Sequence, residues 1–413
     1  MGKPLFLCWQ GQIAACLKKN MHPIRVLHVI DTLGAAGAEH QLATLLPSLR
    51  HCGVECEVAV LQSPYTLQPL FEDRGIRVHR LGAKNGRNIL VTTSRLGALL
   101  RHERYDIVHA HLWHSITATA LSRLLSRREK RVLTFHNSEY QQFPVDSLVR
   151  WLRRGFDKAV LRFGIDHSTA VTEFIARSNE HLLGLRDVKV IFNGLDLTSF
   201  ARLSDGAKRE VRRRLNCQDD DFLVVTAGRL AAQKGHSILI DAVGLLTKEG
   251  LRIRTFIFGE GPLRQQLQQK IGAMGLESLV TLPGAVEHQE LFQAIASADV
   301  FAFPSINEPF GLAAAEAMAL GTPVVASATD GLPELIEDGV SGRLVPLNDA
   351  AALAHAIREM MGNPDLRTRF ALAGYARARD FFDVAKISAE LASLYRSSLA
   401  LPSIAESASK VSV

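Results

Sequence analysis

Glu308 and Glu316 are separated by seven residues in the run Pro304-Ser305-Ile306-Asn307-Glu308-Pro309-Phe310-Gly311-Leu312-Ala313-Ala314-Ala315-Glu316. Carboxylates so placed can accept hydrogen bonds from hydroxyls. The apolar stretch Ala298–Phe303 before them, ended by a proline, reads as a buried parallel-type strand. The alanine-rich stretch after them, stopped at Gly321, reads as a helix with Glu316 about one turn in. The first helical amides, expected from Phe310 through Gly311 and Leu312 to Ala313, lack internal acceptors and carry the positive end of the helix dipole, which suits phosphate. A ligand with sugar hydroxyls and a phosphate fits this element; the plain alternative is a βα turn with two solvated glutamates.

Other loops carry matching chemistry. Gly228-Arg229-Leu230-Ala231-Ala232-Gln233-Lys234-Gly235 puts two cations in a flexible loop, suited to a diphosphate. A lone surface Arg is usually just solvated, so the pair carries the argument. Gly259-Glu260-Gly261-Pro262 ends another strand in a tight turn. In the first half, Gly34-Ala35-Ala36-Gly37 lets backbone approach a phosphate, and His111 and His136 end neighbouring strands. One strand-end His is usually structural; two on adjacent strands point to a cleft.

The elements positioning these residues alternate short apolar strands with amphipathic helices. Strands are expected at Arg25–Ile30, Val54–Leu61, Ile76–Leu81, Ile107–Ala110, Val132–Phe135, His167–Val171 and Val188–Phe192, with Leu42, Leu45, Leu46 and Leu49 at helical spacing around an awkward Pro47. After Asn193-Gly194-Leu195-Asp196 the chain turns polar, then strands recur at Phe222–Ala227, Arg254–Phe258, Leu279–Leu282, Val300–Phe303, Pro323–Ala326 and Arg343–Val345. The fold class is α/β, with two doubly wound Rossmann-like domains whose ligands bind beyond the carboxyl ends of the strands. Boundaries are expected at 1–20 (an extension without assigned role), 21–197, 198–384, and 385–413, a helix and tail with the helix packing back on the first domain.

The 413 residues, 47% hydrophobic and 22% charged, suit a globular chain of two or three cores, and no apolar run approaches a membrane span. A net charge of +6 is modest and spread out, favouring small anions over nucleic acid. Five cysteines without a C-x-x-C pair suggest reduced thiols and a cytoplasmic protein.

Gly228-Arg229-Leu230 with Lys234-Gly235, Gly259-Glu260-Gly261-Pro262, the Glu308/Glu316 pair, Gly321-Thr322-Pro323-Val324-Val325-Ala326 and Gly331-Leu332-Pro333-Glu334 together resemble the retaining glycosyltransferases of family 4, with the GT-B fold. The resemblance runs from about Ile24 to Phe382. It implies two facing domains with the active site between them, the first for the acceptor and the second for a nucleotide sugar. By it Glu316 holds the ribose, Glu308 contacts the donor sugar, and Arg229 with Lys234 neutralises the diphosphate. The amides of Phe310, Gly311 and Leu312 support sugar or phosphate, Gly37 approaches the diphosphate, and His111 lies near the reacting centre. His136 and Asn193 are acceptor-side candidates. Ala36 and Asp330 stand where the family often has a glycine. No metal and no cofactor is expected beyond the nucleotide-sugar co-substrate, because the acidic run Asp219-Asp220-Asp221 precedes its strand. A dinucleotide oxidoreductase is disfavoured by the lack of G-x-G-x-x-G; the remaining alternative is a non-catalytic GT-B sugar-binding partner of another transferase.

From Asp146 to Gly164, Arg150, Arg154, Lys158 and Arg162 recur every four residues opposite Leu148, Leu152, Phe156, Ala159 and Phe163, with Trp151 at the edge. The plain expectation is a buried apolar stripe and a solvated basic face. The Trp among arginines suggests instead an anionic membrane surface, a glycan or lipid-linked acceptor, and a peripheral place at the inner face of the membrane. Arg123, Arg127, Arg128, Lys130 and Arg131 add a second basic cluster.

Overall fold

The computed structural model describes residues 22–34, 36–82, 88–137, 148–218 and 220–401, with backbone alone at 149 and 150. The extension 1–20, Ala35, Asp146, Asp219 and the tail beyond Leu401 lie outside the described residues. The chain divides into two units: residues through Val171, Ile175–Gly194 and Val384 onward form the first; Thr172–Phe174 and Leu195–Asp383 form the second.

In the first unit seven strands run parallel: β1 (Ile24–Ile30), β2 (Val54–Val60), β3 (Val78–Arg80), β4 (Ile107–His111), β5 (Lys130–Phe135), β6 (His167–Ala170) and β7 (Lys189–Val190), in spatial order β3-β2-β1-β4-β5-β6-β7. The order reverses beside β1, so the loops after β1 and β4 open at the switch point where α/β sheets bind ligands. β3 and β7 are shorter than their apolar runs because both lie at sheet edges, with only one neighbour to pair with. Every strand is where its apolar run predicts it.

Helix Gly37–His51 continues through Pro47. A proline there deprives the Ala43 carbonyl of its helical donor, and the Arg74 guanidinium donates to that carbonyl instead. Helix Val384–Ser398 belongs to this unit and packs on helix Gly37–His51, burying Ile387, Leu391 and Tyr395.

The second unit holds β8 (Phe222–Ala227), β9 (Ile253–Phe258), β10 (Val280–Gly284), β11 (Val300–Phe303), β12 (Val324–Ser327) and β13 (Arg343–Val345), all parallel in order β10-β9-β8-β11-β12-β13. Its core joins these strands to helices His236–Lys248 and Ala350–Gly362 through Leu239, Ile240, Val243, Leu353 and Ile357. The switch lies beside β8, and the loops after β8 and β11 carry the Arg229/Lys234 and Glu308 motifs.

Helix Leu148–Gly164 overturns the plain expectation for its faces. Its buried side is Asp157, Val160, Leu161 and Gly164, whereas Leu148 (69% exposed), Trp151 (71%), Leu152, Phe156 and Phe163 face outward. The reason is polar: Asp157 accepts from the indole of Trp113 (3.1 Å), and Arg153 stacks its guanidinium 4.1 Å from that ring's centre, which draws the charged side inward. The second basic cluster is also corrected. Arg131 is fully buried, donating to the carbonyls of Thr119 and Ser126, and Arg123 pairs with Asp166 at 3.0 Å; Arg127, Arg128 and Lys130 remain exposed. Among the described residues no helix is long and apolar enough to cross a membrane.

Candidate functional site

In the second unit the site starts from glycines that let loops pack backbone to backbone. A Cβ at Gly235, in the left-handed region at φ 65°, would overlap the carbonyl oxygen of Pro304; one at Gly259 would overlap that of Gly228. The close approach at Gly235 brings the loop after β8 against the loop after β11, and the Gln233 carbonyl accepts from the Ile306 amide at 2.7 Å. Lys234 therefore reaches Glu308: its Nζ donates to Glu308 Oε2 at 2.5 Å, and Ser305 Oγ donates to the same oxygen at 3.2 Å. Glu308 is buried (8% exposed). Arg229 is exposed and has no ion-pair partner among the described residues.

Asp330 explains its place in a glycine position. It adopts φ 45°, a conformation that Asp tolerates better than most side chains, and its carboxylate accepts from the Glu308 amide at 2.7 Å. Burial pushes the Asp330 carboxyl up, against that hydrogen bond.

The helix after Glu308 begins later than expected. It spans Leu312–Ala319 with Gly311 (φ 97°) as its cap, so its unpaired first amides are those of Leu312, Ala313 and Ala314. Phe310 is buried, edge-on to Phe382 with ring centres 5.5 Å apart. Glu316 lies in the second turn, half-buried, and desolvation raises its carboxyl to about 7; no hydrogen-bond partner for it occurs among the described residues. Asp220 and Asp221 are engaged by Arg252 at 2.5 and 3.4 Å.

In the first unit Gly37 opens helix Gly37–His51 and is exposed, behind an extended Ala36. His111 is not a surface group. It is buried at the end of β4, its Nδ1 3.0 Å from His136 Nε2 and its Nε2 3.0 Å from His28 Nδ1. Leu112, which follows it, has φ 69°, a strained conformation at a strand end. His136 is half-buried, and with His109, His111 and Asn193 it lines a cavity of about 30 Å³.

Sequence reasoning passed over His28 and His109, each inside an apolar strand. Burial lowers His28 to about 3 and His136 to about 4, and holds His109 and His111 well below the ordinary range. The available signal was His109 two residues before His111, hence on the same face of β4. His28 lies opposite His109 in the β1–β4 register, which no local pattern reveals.

The model for Glycosyltransferase Family 4 matches residues 35–199, and that for glycosyl transferases group 1 matches residues 207–377. The alpha-D-kanosaminyltransferase of Streptomyces kanamyceticus is 29% identical over 305 residues, 72% of this chain and 78% of that protein. A D-inositol 3-phosphate glycosyltransferase from Arthrobacter sp. (strain FB24) is 28% identical over 372 residues, 84% and 87% of the two chains. The solved structure of Anabaena HepE in complex with UDP superposes with a TM-score of 0.80 at 24% identity, covering 91% of this chain and all of that one. Sucrose-phosphate synthase from Thermosynechococcus elongatus superposes with a TM-score of 0.76 at 22% identity, over 91% and 99%. Two parallel α/β units, each matched by its own family model, make this chain a family 4 glycosyltransferase of the GT-B fold.

Proposed function

We propose that the enzyme transfers a sugar, with retention of configuration, from a nucleoside-diphosphate sugar to an acceptor hydroxyl in glycan, polysaccharide or glycolipid synthesis. The observation that carries this is the Lys234–Glu308 pair at 2.5 Å, with the exposed Arg229 in the same loop as Lys234. A diphosphate leaving group needs positive charge, and a donor sugar needs an acceptor for its hydroxyls. Lys234 and Arg229 supply the first and Glu308 the second. The amides opening helix Leu312–Ala319 back the phosphate or sugar, and Glu316 takes the ribose hydroxyls. Anabaena HepE, one solved structure of this fold, is known with UDP and with UDP-glucose. Retention follows if the acceptor oxygen attacks from the face the diphosphate leaves. Gly37 serves the diphosphate, and His136 and Asn193 the acceptor.

The reaction is proposed to be metal-independent, since Arg229, Lys234 and the helix amides do a metal's electrostatic work and Arg252 already engages Asp220 and Asp221. Hydrolysis and transfer assays with UDP-, GDP- and ADP-sugars should reveal a donor turned over equally in buffer and in excess EDTA. Activity lost on chelation and restored by magnesium or manganese would refute the metal-free reading; inertness toward every donor would refute the transferase reading.

The acceptor is proposed to be lipid-linked or membrane-proximal. Leu148, Trp151, Leu152, Phe156 and Phe163, turned outward on one helix with the exposed Arg162, suit an interface with anionic lipid. The protein should sediment with anionic vesicles and much less with neutral ones, be released by salt, and lose binding when Trp151 and Phe156 become Ser. No sedimentation with either vesicle at low salt would point to a water-soluble acceptor.

A further inference from the structure

His28, His109, His111 and His136 of the first unit form two hydrogen-bonded systems whose protons can be counted. In one, Thr169 Oγ1 donates to the Leu133 carbonyl (3.0 Å), so in its 2.7 Å contact with Thr134 Oγ1 it must accept. Thr134 has then spent its proton and accepts from His109 Nε2–H (2.7 Å), which leaves His109 Nδ1 as the acceptor of the Tyr395 hydroxyl (2.6 Å). Each bond is satisfied in only this direction, and His109 has no lone pair to spare.

The second system is the row His28, His111, His136, with its two N···N contacts at 3.0 Å. Desolvation keeps all three rings neutral. Three neutral rings carry three protons and the two contacts use two. The third sits on one end: on His28 Nε2, which is fully buried and has no partner, or on His136 Nδ1, on a ring that is only half-buried. A buried N–H without an acceptor is among the rarest states in folded proteins, so the row runs from His28 Nδ1–H to His111 Nε2, from His111 Nδ1–H to His136 Nε2, and ends in the Nδ1–H of the half-buried His136.

We propose that His28 and His111 are positioning residues that hold His136 as an oriented Nδ1–H donor, and that this donor hydrogen-bonds an oxygen of the sugar-hydroxyl acceptor. The proposal rests on the transferase reading above, and it moves the substrate contact from His111, both of whose ring nitrogens are occupied, to His136. It also accounts for a second arrangement open to these residues. The ring nitrogens of His28, His109 and His111 lie within 4.8 Å of one another, a spacing that could gather around a metal ion. Both lone pairs that His109 and His111 would contribute are already taken by Tyr395 and His28.

The decisive measurement is long-range ¹H–¹⁵N correlation spectroscopy of the imidazoles in the full-length protein, with steady-state kinetics on two variants. The wild type should show Nδ1–H tautomers for His28, His111 and His136 and the Nε2–H tautomer for His109. His28→Leu removes the donor to His111 and should lower kcat about 10-fold with KM for the nucleotide sugar unchanged, the effect of one buried hydrogen bond lost from the row. His28→Asn, whose side-chain amide can replace the Nδ1–H, should restore most of that loss. An Nε2–H tautomer at His28, equal kcat in the two variants, or cobalt(II) ligand-field bands abolished by His28→Leu would each overturn the proposal. The spectrum requires no turnover, so a wild type inert toward every donor would remove the transferase reading while the tautomers still decide the row.

Discussion

Lys234→Ala should lower kcat by roughly 100- to 1000-fold, the usual consequence of removing one preorganised donor aimed at developing negative charge. The variant should also be less stable by about 3 kcal/mol, because Glu308 would be left buried without its counter-ion. The two effects separate in a double-mutant cycle with Glu308→Gln. If Lys234 only supports the fold, the double variant regains stability and turns over as fast as Glu308→Gln alone. If Lys234 also carries the leaving group's charge, stability returns and kcat stays well below that of Glu308→Gln. Arg229→Ala offers a cleaner companion, since this exposed side chain has no ion pair to lose among the described residues. A Lys234→Ala enzyme within a few-fold of wild-type kcat would rule out the electrostatic role.

The first unit should lose stability steeply as pH falls from 7 to 5. His28, His109, His111 and His136 are bases whose folded pKa values lie below the ordinary 6.5. The unfolded chain therefore binds more protons than the folded one, and the stability present above pH 6.5 drains away below it, until pH falls through about 4 for His136 and about 3 for His28. Up to four protons are taken up on unfolding, a slope approaching 5 kcal/mol per pH unit. Glu39, buried beside Thr32 and raised in pKa, acts in the opposite sense with at most one proton. Against a total stability of about 5–15 kcal/mol, the four histidines dominate, and denaturant unfolding at pH 7, 6 and 5 should show the midpoint collapsing. A midpoint flat over that range would mean that the rings are already hydrated or charged in the native state. His28→Phe should flatten the slope by about one proton.

The parts legible in the sequence are those set by local chemistry. Strand positions followed from apolar runs between polar turns, because a parallel strand buried on both faces has little choice of composition. The Lys234/Glu308 element was legible because glycines at 228, 235, 259 and 311 mark backbone that must turn sharply or pass close to another chain segment. Glu316 was found as a residue, but its carboxyl at about 7 comes from desolvation by neighbours distant in sequence. The start of the neighbouring helix was misplaced by two residues, since Pro309-Phe310-Gly311 carries no side-chain cap to mark it.

By itself the sequence determined two α/β units, the order of their motifs, and a family membership resting on spaced glycines, cations and carboxylates. Those depend on backbone geometry and on charge, which each residue brings with it. The tertiary structure alone decided which side of helix Leu148–Gly164 faces solvent: helical periodicity defines two faces, but only Trp113, supplied by another helix, draws Asp157 and Arg153 inward and turns the leucines and phenylalanines out. It alone decided that His111 is buried between two other imidazoles. That arrangement depends on β1 pairing with β4 so that His28 lies opposite His109. A shift of one residue in that register would turn the whole set to the opposite face of the sheet, and the register is chosen by the packing of the entire core.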